Sequence, residues 1–341
     1  MQNQILIKNG RIIDPSQNLD FVGDLFISNG LVEWTSNLHS KPNTSKHCEL
    51  IDANNLIVCP GFIDLHSHLR EPGYEDKETI ATGTLAAVRG GFTTVCAMPN
   101  TNPTMDTKAT IDYVKRKAEE VGYAKVFPIG CVTKGSLGKE MANLFELSDA
   151  GAIAFSDDGN PVFDSNIMRQ ALTYLLGTKI PIIDHCEDYS LAQNGVMNEG
   201  WVSSLLGLKG ISSAGEENMV ARNIRLAELT GGNLHIAHIS TVGSLKLIKQ
   251  AKENNLPITC EVTPHHLTLT EESILGINGS NVLNISTYKY DTRTKVNPPL
   301  RSELDVEAMV SGIETGIIDI IATDHAPHTQ IVPKRAGMIP A

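Results

Sequence analysis

The sequence predicts an α/β protein: a (β/α)8 TIM barrel preceded by a small N-terminal β-sheet. Three observations carry this. From about residue 56, short apolar runs alternate with helical segments eight times over. Asn-Gly pairs between apolar runs occupy the segment before it. Histidines collect at the ends of the predicted strands. Strand–helix alternation sustained through eight units is the pattern of a closed parallel barrel.

Residues 1–55 form the small β domain, an incomplete sandwich, and 56–341 the barrel. Ile5-Leu6-Ile7 and Arg11-Ile12-Ile13 flank Asn9-Gly10, and Leu25-Phe26-Ile27 and Leu31-Val32-Glu33 flank Asn29-Gly30. Asn-Gly suits both φ > 0 positions of a tight hairpin, so two hairpins are expected. The polar stretch Ser36–Lys46 reads as a loop. Four short strands are few for an independent domain, so the sheet needs a partner surface.

The barrel strands are expected at Leu56–His68, Phe92–Met98, Lys125–Cys131, Ala152–Asp158, Pro181–Glu187, Leu234–Ser240, Ile258–His266 and Ile317–His325. Helices are expected at Lys77–Arg89, Lys108–Val121, Asn166–Leu176, Glu216–Leu229, Val242–Asn254 and Glu303–Glu314. Gly90-Gly91 and Gly231-Gly232 supply helix stops. A doubly wound open sheet is the alternative, but it usually has fewer strands. No Gly-x-Gly-x-x-Gly follows the first barrel strand, so a dinucleotide site is not supported.

Composition narrows the class. The 341 residues are 41% hydrophobic and 20% charged, with a formal net charge of −11. That balance argues against nucleic-acid and anionic-membrane surfaces, which need concentrated Lys and Arg. The six cysteines (48, 59, 96, 131, 186, 260) form no Cys-x-x-Cys pair and fit a reduced, cytoplasmic setting. Met1-Gln2-Asn3-Gln4 lacks a basic region and an apolar core, so neither signal peptide nor membrane anchor is expected.

Active sites of such barrels sit at the C-terminal ends of the strands. Of eleven histidines, all but His39, His47 and His235 fall there. Strand 1 ends in His66-Ser67-His68-Leu69-Arg70, with Asp64, His66 and His68 on one face. His185, His238 and Asp324 end strands 5, 6 and 8, and Asp157-Asp158 ends strand 4. Four imidazoles and two carboxylates suit two metals about 3.5–4 Å apart, which together activate water and polarise a carbonyl. Spacing does not choose between Asp157 and Asp158. His235, His265, His266 and His325 read as structural or supporting. Arg70 and Asn100 at the barrel mouth suit a substrate carboxylate, and Asp64 reads as a carboxylate orienting an imidazole.

The run from Pro60-Gly61-Phe62-Ile63-Asp64-Leu65-His66-Ser67-His68 to Leu69-Arg70-Glu71-Pro72-Gly73 resembles the signature of the amidohydrolase superfamily, in the form used by class I dihydroorotases. Gly90-Gly91-Phe92-Thr93-Thr94, Ala97-Met98-Pro99-Asn100-Thr101 and Ala154-Phe155-Ser156-Asp157-Asp158-Gly159 are similar to the same family. So are Asp184-His185-Cys186-Glu187-Asp188, Ala237-His238-Ile239-Ser240, Glu261-Val262-Thr263-Pro264-His265-His266-Leu267, Asn297-Pro298-Pro299-Leu300-Arg301 and Ala322-Thr323-Asp324-His325-Ala326-Pro327-His328.

The resemblance implies a binuclear zinc enzyme that interconverts N-carbamoyl-L-aspartate and L-dihydroorotate in pyrimidine synthesis. His66, His68 and Asp324 would hold one zinc ion, His185 and His238 the other, and Asp158 would bridge them. A metal-bridging hydroxide would attack the ring amide, with Asp324 as general acid/base. Arg70, Asn100 and His328, with His68 beside them, would grip the substrate, and Asn297 would contact the ring. Relatives that bridge their metals with a carboxylated lysine differ here, since no lysine lies between Lys139 and Lys179. That argues against the hydantoinase, dihydropyrimidinase and allantoinase branches. The implied partners are the small-molecule substrate and either a second copy or aspartate transcarbamoylase. The alternatives are another cyclic amidohydrolase and a silent barrel serving aspartate transcarbamoylase as a structural partner.

Two departures from the family pattern stand out. After His328-Thr329 only twelve residues follow, two of them proline, where the family continues with a substrate loop, a final helix and strands that complete the N-terminal sheet. The expectation is a C-terminally truncated chain of lowered stability, exposed apolar surface and weak or absent activity. The polar segment Asn281–Thr294 is either an active-site lid or an insertion.

Overall fold

The computed structural model describes residues 4–37, 44, 47–276 and 291–329. The stretch of the 281–294 segment up to residue 290, and the tail 330–341, lie outside the described residues. The chain divides into two compact units between Phe62 and Ile63.

The first unit is a five-stranded sheet: β1 (Gln4–Asp14), β2 (Leu19–Ser28), β3 (Leu31–Thr35), β4 (Glu49–Asp52) and β5 (Ile57–Val58). The order is β3-β2-β1-β4, with β5 also parallel to β1. Residues expected to open the first barrel strand, Leu56–Val58, therefore belong here, ahead of the Pro60-Gly61 break. Asn29-Gly30 makes the expected hairpin between β2 and β3, with φ of 52° and 80°. Asn9-Gly10 does not. β1 runs straight through it, and the pairing with β2 shifts register between Ile7 and Gly10. The left-handed φ of 63° at Asn9 serves a bulge instead of a turn. Asn9 N donates to Asp24 Oδ1 at 3.0 Å and its amide to Asp52 Oδ1 at 3.1 Å. Gly10 is needed because a Cβ there would lie 2.6 Å from Val58 Cγ2 on β5.

The second unit is the barrel. Its strands are β6 (Phe62–Ser67), β7 (Phe92–Ala97), β8 (Lys125–Pro128), β9 (Phe155–Ser156), β10 (Ile182–Asp184), then β13 (Leu234–Ile236), β14 (Ile258–Val262) and β15 (Ile320–Ile321). β6-β7-β8 pair in one run and β9-β10-β13-β14-β15 in another. Parallel bridges Gly130↔Phe155 and Ser67↔His325 join the runs at both seams, closing eight strands into a ring. The intervening pair β11 (Met197–Asn198) and β12 (Gly210–Ile211) stands outside the ring as a separate two-stranded sheet.

Among the described residues, six of the ten α-helices answer sequence expectations: α1 (Ile80–Arg89), α2 (Lys108–Val121), α4 (Ser165–Tyr174), α7 (Ser213–Thr230), α8 (Val242–Glu253) and α10 (Glu303–Glu314). Thr79, Thr107 and Thr241 cap α1, α2 and α8 with their hydroxyls. Gly231, at φ 74°, ends α7. The short helices α3 (Leu144–Ala150), α5 (Tyr189–Ala192) and α6 (Trp201–Leu206) were not expected. Nor was α9 (Pro264–Thr268), which ends strand 7 at Val262 instead of His266. Pro264 starts this helix and the Thr263 hydroxyl accepts from His266 N.

Alternation along the strands sorts two cores. Val95, Ala97, Ile182 and Ile236 pack in one large cluster with Ile111, Met168, Val220 and Ile248 of the helices. Their strand neighbours Cys96, Ile183 and Ala237 join Met98, Ile129 and Ala154 in a second cluster. The same two-residue alternation carries that face from Met98 to Asn100, from Ala154 to Asp158 and from Ile183 to His185. Burial of the apolar strands thus aims polar side chains at the strand ends. Cys96, Cys131, Cys186 and Cys260 are buried and free. No described helix is long and apolar enough to cross a membrane.

Candidate metal centre

The strand ends bring together His66 and His68 from β6, Asp158 after β9, His185 after β10, His238 after β13 and Asp324 after β15. All are buried except Asp324, which is slightly open. Two ligand groups form, His66–His68–Asp158 and Asp158–His185–His238, and they share Asp158. Asp158 Oδ2 lies 3.4 Å from His66 Nε2 and 3.3 Å from His68 Nε2. Its Oδ1 lies 3.7 Å from His185 Nδ1 and 3.6 Å from His238 Nε2. Asp324 Oδ1 stands 3.5 Å from His66 Nε2 and 3.1 Å from His68 Nε2. His238 and Asp324 have φ of 28° and 48°, backbone conformations held against their usual preference.

Alternation left Asp157 and Asp158 open, and the geometry separates them. Asp157 faces away, accepting from Thr133 N at 3.0 Å and from the Thr133 hydroxyl. Burial raises its pKa to about 6.

Three of the four imidazoles have a polar partner on the nitrogen turned away from Asp158. His66 Nδ1 lies 2.5 Å from Glu261 Oε1, His68 Nδ1 2.8 Å from Asn100 Oδ1, and His185 Nε2 3.3 Å from Glu187 Oε2. Such partners fix the tautomer and aim the free nitrogen inward. Glu261 and Glu187 were not singled out from the sequence. Each carried a signal: Glu261 is an acid inside the apolar strand run between Cys260 and Val262, and Glu187 shares the strand parity of His185.

Asp64 does not orient an imidazole. Its carboxylate accepts from Thr323 N at 3.0 Å, from the Thr323 hydroxyl at 2.5 Å and from His66 N at 3.3 Å. It ties β6 to the segment that carries Asp324, because Thr323 presents two donors there and the imidazole's outward nitrogen already faces Glu261. His235 contacts Thr259 Oγ1 and Glu261 Oε2 at 2.8 and 3.2 Å. His266 lies between Thr263 Oγ1 and the Pro298 carbonyl, and His325 meets Glu78 Oε2 at 3.0 Å.

Among the expected substrate contacts, Arg70 is buried with φ 63° and donates from Nε to the Pro327 carbonyl at 3.3 Å. His328, next along, is exposed. Asn100 spends its carbonyl oxygen on His68, leaving its amide nitrogen beside Gly159. The Asn297 amide lies 3.2 Å from Glu187 Oε2 and 3.3 Å from His185 Nε2.

Charge and burial oppose each other here. Burial disfavours an imidazolium at His66, yet Asp158, Glu261 and Asp324 hold its pKa well above the ordinary value. Burial is likewise outweighed at His185, raised to about 10 by Asp158 and Glu187. It is outweighed again at Asp158, held far below the carboxylate range by His66, His185 and His238. A field that draws protons onto buried imidazoles equally favours a divalent cation between them. The donor set of imidazole nitrogens and carboxylate oxygens suits zinc. His66 Nε2 and Asp158 Oδ1 are buried with no hydrogen-bond partner, so the site has atoms left over for such an ion.

A closed parallel barrel with histidine–aspartate groups at its strand ends defines a metal-dependent hydrolase of the amidohydrolase type. The L-hydantoinase (dihydropyrimidinase) from Arthrobacter aurescens superposes with a TM-score of 0.77 at 22% identity, covering 96% of this chain and 70% of that one. A family profile described as Dihydro-orotase-like matches residues 55–244. The dihydroorotase of Citrifermentans bemidjiense is 51% identical over 325 residues, 95% of this chain and 73% of that protein. That of Pelotomaculum thermopropionicum is 49% identical, covering 96% and 72%. The chain belongs to the dihydroorotase family of cyclic amide hydrolases, whose role lies in pyrimidine biosynthesis.

Proposed function

We propose that the chain opens and closes the dihydroorotate ring with two zinc ions. His66, His68 and Asp324 hold one, His185 and His238 the other, and Asp158 spans both. The observation that carries this is the sharing of Asp158 by two ligand groups, with His66 Nε2 and Asp158 Oδ1 buried and without a hydrogen-bond partner. Bound there, the metals would supply a water acidic enough to attack at neutral pH and would polarise the scissile carbonyl.

The chain's own residues do the rest. An Asp324 oxygen receives the proton of the attacking water and returns it to the ring nitrogen as the C–N bond breaks; cyclisation runs the transfer backwards. Its position 3.1 Å from His68 Nε2 supports that role. Arg70 offers a guanidinium to the substrate carboxylate, and the free amide nitrogen of Asn100 and the ring of His328 complete the grip. His68, held by Asn100, lines the same wall. Asn297 donates to the ring from the opposite side, where Glu187 fixes its amide. The finer readings go with this one: a cytoplasmic enzyme, supported by its free buried cysteines, that works as a homodimer or beside aspartate transcarbamoylase.

Metal analysis and dihydroorotate hydrolysis of the purified chain test the proposal, with His66→Ala and Asp324→Ala as controls. Two zinc ions per chain, with turnover lost in both variants, is the expected result. A chain that turns over without metal would overturn it.

A further inference from the structure

One buried carboxylate reaches both ligand groups. Glu261, on β14, is 1% exposed. Its Oε1 lies 2.5 Å from His66 Nδ1, in the first group, and accepts from the backbone N–H of His238, in the second, at 3.3 Å. Its Oε2 faces His235 Nε2 at 3.2 Å, and His235 is itself fixed by Thr259 Oγ1 at 2.8 Å.

We propose that Glu261 is a positioning residue shared by the two metal groups; this rests on the metal reading above. At His66 it accepts the Nδ1 proton, which leaves the Nε2 lone pair directed at Asp158. At His238 it acts on the backbone. A φ of 28° is rarely adopted by an L-residue, and the hydrogen bond from the His238 N–H helps hold the chain there, with Nε2 facing Asp158. His235 and Thr259 stop the carboxylate from rotating. Both ligand groups therefore depend on one oxygen, Oε1, and disturbing it disturbs both.

The test uses the full-length chain, stripped of metal and titrated with Co(II) and with zinc against a competing chelator. A glutamine at 261 keeps one acceptor oxygen but removes the negative charge that strengthens the hydrogen bonds from His66 Nδ1 and the His238 N–H. In Glu261→Gln, affinity should fall about ten- to hundredfold at both sites, and the Co(II) absorption bands should shift. Glu261→Ala should lose at least as much. His235→Ala leaves the contacts to His66 and His238 in place and should stay within about threefold of wild type. Wild-type affinity and spectrum in Glu261→Gln, or a loss confined to one site, would overturn the shared role. If Glu261→Ala does not fold, Glu261→Gln decides. A wild-type chain that binds no metal would overturn the metal reading itself, and this inference with it.

Discussion

His185 Nδ1 and His238 Nε2 approach to 2.9 Å, and both face Asp158 Oδ1. Two basic ring nitrogens held that close in a buried site are compatible only with a proton or a cation between them. The ring planes meet edge-on, at 83°.

Metal should therefore stabilise the fold. An ion that binds only the folded chain adds about 2.7 kcal/mol at a hundredfold excess over its Kd. Thermal melts of stripped and zinc-loaded protein should differ by several degrees, with chelator reversing the gain. Coincident melts would contradict this.

Asp324→Asn keeps the size of the side chain and removes the proton acceptor. Dihydroorotate hydrolysis should lose about 10²–10⁴-fold in kcat with little change in KM. Steady-state kinetics on variant protein of measured zinc content separates this from metal loss.

Arg70→Lys keeps the charge and loses the planar fork. The substrate carboxylate should then bind more weakly, with kcat/KM falling roughly ten- to hundredfold, mainly through KM. An unchanged KM would place the carboxylate elsewhere.

Much of this was legible in the sequence because burial enforces period. Apolar alternation through Cys96, Met98, Ile183 and Ala154 fixes which side of each strand faces inward, and Asn100, His185 and Asp158 inherit that parity. Local signals shared by two structures were not legible. Asn9-Gly10 suits a turn or a bulge equally, and the length of β2 decides for the bulge. Thr263-Pro264 reads as the middle of a strand until the hydroxyl caps a helix. Asp64 and Glu261 are both acids on the inward face, and nothing in spacing says that Thr323 claims one and His66 the other.

The central claim is that Asp158 joins two metal ions. Zinc titration of stripped Asp158→Ala against wild type tests it most directly. Wild type should take up two ions per chain. Asp158→Ala should lose affinity for both together, by far more than a single outer contact would cost, with hydrolysis abolished. Two ions bound to Asp158→Ala as tightly as to wild type would contradict the account.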